Sequence, residues 1–391
     1  MRKTLILFCI ILLSGFLHIS FGCTIFTASS NSTVLAGNNE DMCTTNTVIH
    51  IIPPSDTKFG RIFWGFKGDG NYQGGMNEHG LFFDGASTPA VEMSGWNLPE
   101  YQGRYIFETV LEKCKTVEEA IEFVQKYSQP YLKFSHILVA DAKGGAVVFE
   151  WGNNRMNYIR KGDDNFLIAT NFNLTETFHP EKECNRYATA KKMLSENEPS
   201  VSLFEEILSL THAEGKFPTV YSNLCDLKKR KMYLYNFHNF SFRKAFDLQN
   251  EFEKGEKKYL VRSFFPQTNA ELIFRYMSDC VDNFEDLPSH SITFKVNAKK
   301  PFENSKLYLQ GNARELGDWD EPGVEMEKQT GSVFQKTISL KEGKLFAYTF
   351  ATEKGECVLL GLNNQKIGEE VMEVKSDTTI VVDVLDWKRI K

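Results

Sequence analysis

Short runs in which apolar and polar residues alternate dominate this chain, and helical spacing is confined to a few segments. The first run fits neither period. Residues 5–17 are largely apolar, they follow the basic pair Arg2 and Lys3, and the stretch closes on Ser20-Phe21-Gly22, small at both places a signal peptidase reads. That is the pattern of a secretory signal over residues 1–22 and not of a membrane span. It predicts a secreted or periplasmic protein whose mature chain begins at Cys23. Two β-prone runs, 24–28 and 34–36, then flank Ser29-Ser30-Asn31-Ser32, which is turn chemistry. A hairpin folded about residues 31–32 pairs residue 23 with roughly residue 40 and returns Asp41 to the neighbourhood of Cys23.

Residues 49–52, 62–66 and 81–84 read as further strands, and 104–114 and 117–127 as helices, the second opened by a capping box of Thr116 with Glu119. Residues 135–140, 146–151, 156–160 and 166–170 read as consecutive antiparallel strands. Helices are expected at 185–194 and 203–210, strands at 219–224 and 232–237, and a last helix at 269–281. From residue 292 only short strands follow, at 292–296, 306–310, 334–339, 346–350, 358–362 and 378–382. The expectation is an α+β domain over 23–265 with sheets sandwiched between helices, a helical linker over 266–289, and a small all-β sandwich over 290–391.

Composition narrows the chemistry. A chain of 391 residues suits two domains, and a net charge of −6 with no basic patch argues against nucleic acid as a partner. Lys228-Lys229-Arg230-Lys231 reads as a solvated hairpin turn. Without Cys9, seven cysteines remain (23, 43, 114, 184, 225, 280 and 357), and an odd number leaves at least one thiol outside any disulfide. No CxxC pair and no HExxH helix occurs, so neither a metal nor any other cofactor is expected.

A Cys23 at a free N-terminus carries a thiol and an α-amino group on one Cα. An α-amine with a pKa near 7.7–8.0 is a usable base at neutral pH, and here it needs little positioning. Asp41 is the candidate to orient that amine. Asn171, after the apolar run 166–169, is the candidate oxyanion donor. The combination points to cleavage of an amide through an acyl-thioester. A competing reading makes Cys23 a lipidated anchor, although Ser20 stands where signal peptidase II prefers Leu.

Five pieces of sequence, in order, carry a resemblance: Cys23-Thr24, Gly37-Asn38-Asn39-Glu40-Asp41, Asn77-Glu78-His79-Gly80-Leu81, Thr170-Asn171-Phe172 and Arg186-Tyr187. Over roughly residues 23–265 the chain resembles the N-terminal-nucleophile hydrolases of linear amide bonds. These include penicillin V acylases, choloylglycine hydrolases and the related acyl-CoA:penicillin acyltransferase branch. The resemblance implies a four-layer αββα sandwich and a small-molecule N-acyl amide substrate, with either hydrolysis or acyl transfer. It implies Cys23 as nucleophile and base, Asp41 as its orienter, Asn171 as oxyanion donor and Arg186 as an electrostatic buttress. Asn77 and Ser87 fall on substrate-side positions; Asn or Tyr is usual at the second. Bile salt and penicillin V hydrolases carry Arg where this chain has Asn38, which argues against those two substrates and for the acyltransferase-like branch.

The last hundred residues resemble a starch-binding-type carbohydrate module through Leu307-Tyr308-Leu309-Gln310-Gly311, Glu315-Leu316-Gly317-Asp318-Trp319-Asp320 and Phe346-Ala347-Tyr348-Thr349-Phe350. Trp319 would stack on a sugar ring. The second stacking Trp, expected near Cys357, is absent, and Thr349 replaces a usual Lys, so a purely structural sandwich stays open. A lipid-anchored or secreted glycan-binding protein on a catalytically retired fold is the alternative to the enzyme.

Overall fold

A computed structural model describes residues 22–389, save 95, 163, 300–305, 321, 353–356, 362–364 and 366. The secretory signal read from the sequence therefore lies, but for Gly22, outside the described residues.

Strands β1 (Thr24–Ser29), β2 (Val34–Asp41), β3 (Thr47–Ile52), β4 (Arg61–Phe66), β5 (Gly74–Asn77), β6 (Phe82–Ser87), β7 (Ser135–Ala140), β8 (Ala146–Gly152), β9 (Arg155–Arg160), β10 (Phe166–Ala169), β11 (Thr219–Asp226), β12 (Lys231–Asn236), β13 (Asn239–Asp247) and β14 (Lys257–Leu260) make two antiparallel sheets. One has the order β10-β1-β2-β11-β12-β13 and the other β14-β3-β4-β5-β6-β7-β8-β9. The helices are α1 (Ile106–Lys113), α2 (Val117–Val124), α3 (Pro180–Glu183), α4 (Asn185–Glu196), α5 (Val201–Leu210), α6 (Leu248–Phe252) and α7 (Asn269–Met277).

Successive side chains of a strand point to opposite faces, so a strand covered on both sides feeds two cores. Ile25, Val34, Ala36, Leu167 and Ala169 join Ile49, Ile62, Trp64 and Met76 of the other sheet in a core between the sheets. Their neighbours Phe26, Ala28, Leu35, Phe166 and Ile168 face outward onto Leu194 of α4 and Phe204 and Ile207 of α5. On the far side, Phe63, Phe83, Val139 and Phe149 pack beneath Ile106, Phe107 and Val110 of α1 and Val117 and Ala120 of α2. Thr116 caps α2 by accepting from the Glu119 N–H, while the Glu119 carboxylate reaches the Lys115 N–H and not that of the cap. The strand ends around Cys23 are thus held by strands buried on two faces.

Two differences from the sequence reading matter. β2 runs to Asp41, five residues past the predicted end, because its polar residues Asn38, Asn39 and Glu40 are buried between β1 and β11 and no alternation marks them. The last helix stops at Met277, a 3-10 turn follows at Cys280–Asn283, and a disulfide joins Cys280 to Cys43 with their Cα atoms 5.6 Å apart. Cys23, Cys114, Cys184 and Cys225 are free thiols.

The C-terminal sandwich starts at Ser289–Ala298, which pairs antiparallel with Val333–Lys341 and parallel with Thr378–Val384. Its second sheet contains Leu307–Gly311, Leu345–Thr352 and Glu370–Glu373, and Phe294, Leu309, Phe334 and Phe346 fill the space between. Arg275 of α7 and Arg262 both reach Glu373, at 2.9 and 2.5 Å, so the linker region is tied to the sandwich by partly buried ion pairs. No helix among the described residues is long and apolar enough to cross a membrane.

Candidate active site

The register of the sheet builds the site. β1 pairs with β2 as Thr24↔Asn39 and with β10 as Ile25↔Ala169. Continued past the strand ends, those ladders set Cys23 between Glu40 on one side and Asn171 on the other. β11 completes the edge by pairing Thr219 with Asp41. Residues separated by up to 196 positions in sequence therefore meet around one sulfur because three antiparallel ladders end at the same level.

Cys23 is buried, and its thiol donates to Glu40 Oε1 at 3.5 Å. Asn38 holds the other Glu40 oxygen at 3.1 Å. Burial pushes the Cys23 thiol well above its ordinary pKa; the nearby Glu40 and Asp41 carboxylates add to this, against the Asp41 backbone N–H, which favours the thiolate. Glu40 is pushed up in turn by burial and then by Asp84. Asp41 is fully buried. Burial raises it to about 7, against the pull of Arg186, Thr219 and His212.

Arg186, in the first turn of α4, is the hub. Its side chain is 24 % exposed and reaches Asp41 Oδ2 at 3.0 Å, Thr24 Oγ1 at 3.1 Å and Asn171 Oδ1 at 2.7 Å. Thr219 donates its hydroxyl to the other Asp41 oxygen. The Asn171 carboxamide donates to the Ser87 carbonyl at 2.9 Å. Gly22 sits against this cluster. A Cβ added there would lie 2.9 Å from Asp41 Oδ2 and 3.0 Å from the Arg186 guanidinium. The backbone at Gly22, one residue before Cys23, thus lies close to the carboxylate and the guanidinium.

A cavity of about 300 Å³ opens above the sulfur, lined among others by Glu40, Met42, Phe66, Tyr72, Ser87 and Tyr131. Among the described residues its lining contains the acids Glu40 and Asp69 and no Lys, Arg or His. No three His, Cys, Asp or Glu side chains gather as a metal site needs among the described residues.

Four sequence candidates, Cys23, Asp41, Asn171 and Arg186, are brought together, and Ser87 joins them through its carbonyl. Asn77 does not. Its carboxamide donates to the Leu111 and Cys114 carbonyls at 3.0 and 2.8 Å and accepts from the His79 and Leu81 N–H groups, both at 3.0 Å. With all four bonds made inside a turn buried against α1, Asn77 fixes backbone and lies outside the cavity lining. Gly80 completes that turn at φ +76°, where an added Cβ would stand 2.1 Å from the Leu227 carbonyl. Trp319 belongs to the other domain. It is 37 % exposed, at φ 63°, and its N–H donates to the Gly311 carbonyl at 2.7 Å. Cys357 opens a strand, Cys357–Leu360, and the sequence there holds no Trp to serve as a second stacking ring.

Sequence reasoning quoted Glu40 but gave it no place, although the hairpin register that pairs residue 23 with roughly 40 marks it. Thr219 and Glu150 had no signal. Glu150 is buried and accepts from the Leu174 and Thr175 N–H groups at 2.9 and 2.8 Å, from the Thr175 hydroxyl at 2.7 Å and from His136 Nδ1 at 2.8 Å. It anchors the loop that carries Asn171.

No curated protein matches the chain by sequence. Among solved structures, a variant of the conjugated bile acid hydrolase from Clostridium perfringens superposes with a TM-score of 0.51 at 16% identity, over 63% of this chain and 99% of that one. Penicillin V acylase from Agrobacterium tumefaciens gives 0.47 at 15% identity, over 63% and 98%. The first likeness speaks for the fold, that of the N-terminal-nucleophile hydrolases. Residues 289–373 match the starch binding domain, so the chain ends in a domain of that type. Residues 27–240, more than half of the chain, match the acyl-coenzyme A:6-aminopenicillanic acid acyl-transferase family, and the chain belongs to it.

Proposed function

We propose that this protein is an exported cysteine amidase, with the four-layer αββα architecture of its fold class, that becomes active when residues 1–22 are removed. The observation that supports this is the closeness of Gly22, the residue before Cys23, to Asp41 and Arg186, beside a thiol that burial keeps protonated. Cleavage of that peptide leaves the amine of Cys23 against the Asp41 carboxylate, where it is oriented as a base.

The amine takes the thiol proton, and the sulfur attacks the amide carbonyl carbon. Asn171, held through Arg186 and Glu150, supplies a donor to the oxyanion. The C–N bond breaks as the ammonium returns the proton to the departing amine, leaving a thioester on Cys23. Water then releases the acid and restores the thiol; a second amine in its place gives acyl transfer. The lining, with two acids and no basic side chain, offers no partner to an anion, which disfavours substrates whose amine part is anionic, as it is in conjugated bile salts and penicillin V.

Edman sequencing and intact mass of the exported protein, with a panel of acyl-amides (phenoxyacetyl, bile-acid conjugates, N-acyl lactones, N-acyl amino acids), test this reading. It expects an uncapped Cys23 and activity lost in Cys23→Ser. A lipid on Cys23, or full activity with one extra residue before it, would overturn the mechanism. A second reading concerns the C-terminal domain alone: its match and the exposed Trp319 support glycan binding, read out as retention on amylose.

A further inference from the structure

Helix α7 is inside out. Its charged residues Glu271 and Arg275 are buried, the first bonded to Asn236 Nδ2 at 2.9 Å and the second to Glu373, while Ile273 and Met277 are 61 % and 77 % exposed. Burying ionic groups is costly, and so is leaving large apolar side chains in water. Such a helix makes sense when something apolar covers its outer face. Ala270, Ile273, Phe274 and Met277, spaced i, i+3, i+4, i+7, form one wall of a groove of about 1130 Å³. Phe237, Phe284 and Met42 are among the residues opposite.

Met42 also lines the cavity over Cys23. Phe66 of that cavity meets Phe284 of the groove with ring centroids 6.1 Å apart. The cavity and the groove are therefore neighbours across one methionine and one pair of rings. The Cys43–Cys280 disulfide joins the residue after Met42 to the segment that follows α7. The α7 wall lies between the two matched segments, 27–240 and 289–373, so it belongs to this chain and not to either family's matched region.

We infer that the groove holds a long unbranched apolar chain of the amide substrate, running from the carbonyl at Cys23 over Met42 onto α7. This rests on the amidase reading for its chemistry, and the chain's binding is testable apart from it. The same aliphatic chain could belong to the acyl part or to the amine part, and two substrate series distinguish them: acyl anilides from butanoyl to dodecanoyl, and N-alkylacetamides from butyl to dodecyl.

In one of the two series kcat/KM should rise at least tenfold from four to twelve carbons, since each buried methylene contributes roughly fourfold at most. The doubly substituted I273D/M277D protein, altered only at exposed positions, should lower the twelve-to-four-carbon ratio at least tenfold. Flat profiles in both series, or an unchanged ratio in the double variant, would overturn the inference. Calorimetric binding of dodecanoate and of N-dodecylacetamide to Cys23→Ala protein adds a readout that needs no turnover. Binding of either that is lost on adding I273D/M277D supports the groove even if every amide proves inert, an outcome that would count against the amidase reading alone. Binding of neither overturns the groove whatever the activity.

Discussion

The polar seam at Cys23 and the loop at Trp319 are built in opposite ways. The seam draws Cys23, Glu40, Asp41, Asn171, Arg186 and Thr219 from four strands or their ends and one helix, buries most of them, and bonds each to another. Trp319 stands on a single left-handed turn, and its backbone is fixed to Gly311 only eight residues earlier. A buried network in low dielectric fixes positions to within a bond length and fails when one member is removed. A partly exposed ring tied to its surroundings through Tyr276 of α7 offers a surface, and its loss removes few contacts. The two regions should therefore respond to substitution on different scales.

The largest effect is expected at the sulfur. Cys23→Ala should lower kcat at least 10⁴-fold while the unfolding curve barely moves, since in the proposed mechanism nucleophile, base and oxyanion donor act as a unit. A modest loss would break the contrast, because the seam would then behave like the loop. Next comes Asn171→Ala, expected to lower kcat by roughly 10²–10³ with little change in KM, the signature of a donor used in the transition state. A rise in KM alone would assign Asn171 to substrate binding.

The same contrast explains what could be read in advance. The hairpin pairing of Cys23 with Glu40 followed from turn residues and strand period, and the observed register, Thr24↔Asn39, agrees with it. The two family segments were legible from short motifs, and residues 27–240 and 289–373 are where the families match. What stayed hidden was carried by tertiary packing. The polar half of β2 has no alternation because both of its neighbours are in the same sheet and both of its faces are covered. β13, with one fully buried residue, Phe246, among 239–247, has too few buried positions to set a period. Asn77 read as a substrate residue because a motif marks positions that matter without saying whether they hold substrate or backbone. Glu150 is 21 residues from Asn171 in sequence and meets the loop only when β8 is in place.

Between the extremes lies the covalent tie. Cys43→Ser together with Cys280→Ser should destabilise the protein by about 2–4 kcal/mol, read as a lower midpoint in urea, because the bridge closes a loop with a sequence separation of 237. It should also blunt any chain-length preference, since the same bridge holds the groove together. Trp319→Ala is expected to weaken amylose binding by about tenfold, the value of one aromatic contact, and to leave amide turnover as it was. If turnover falls too, the sandwich is coupled to the seam and the two regions are not separable.

The smallest effect discriminates most finely, because it asks what Glu40 contributes. Its carboxyl lies 3.5 Å from the sulfur, and burial beside Asp84 keeps it protonated over more of the pH range than an exposed glutamate. An unfolded chain ionises that carboxyl near pH 4.3. Above that value the folded state holds an extra proton, so Glu40 makes the fold less stable as pH rises towards its raised pKa. Glu40→Gln removes this slope while retaining an oxygen for Asn38 and a neutral group beside the thiol. The variant should lose stability more slowly than the parent between pH 5 and 8. Its thiol should also alkylate severalfold faster with iodoacetamide at alkaline pH, because one of the charges that raise the Cys23 pKa is gone. Parallel stability curves with unchanged alkylation would make Glu40 a packing residue, and the seam would then owe its acidity to Asp41 and Asp84 alone.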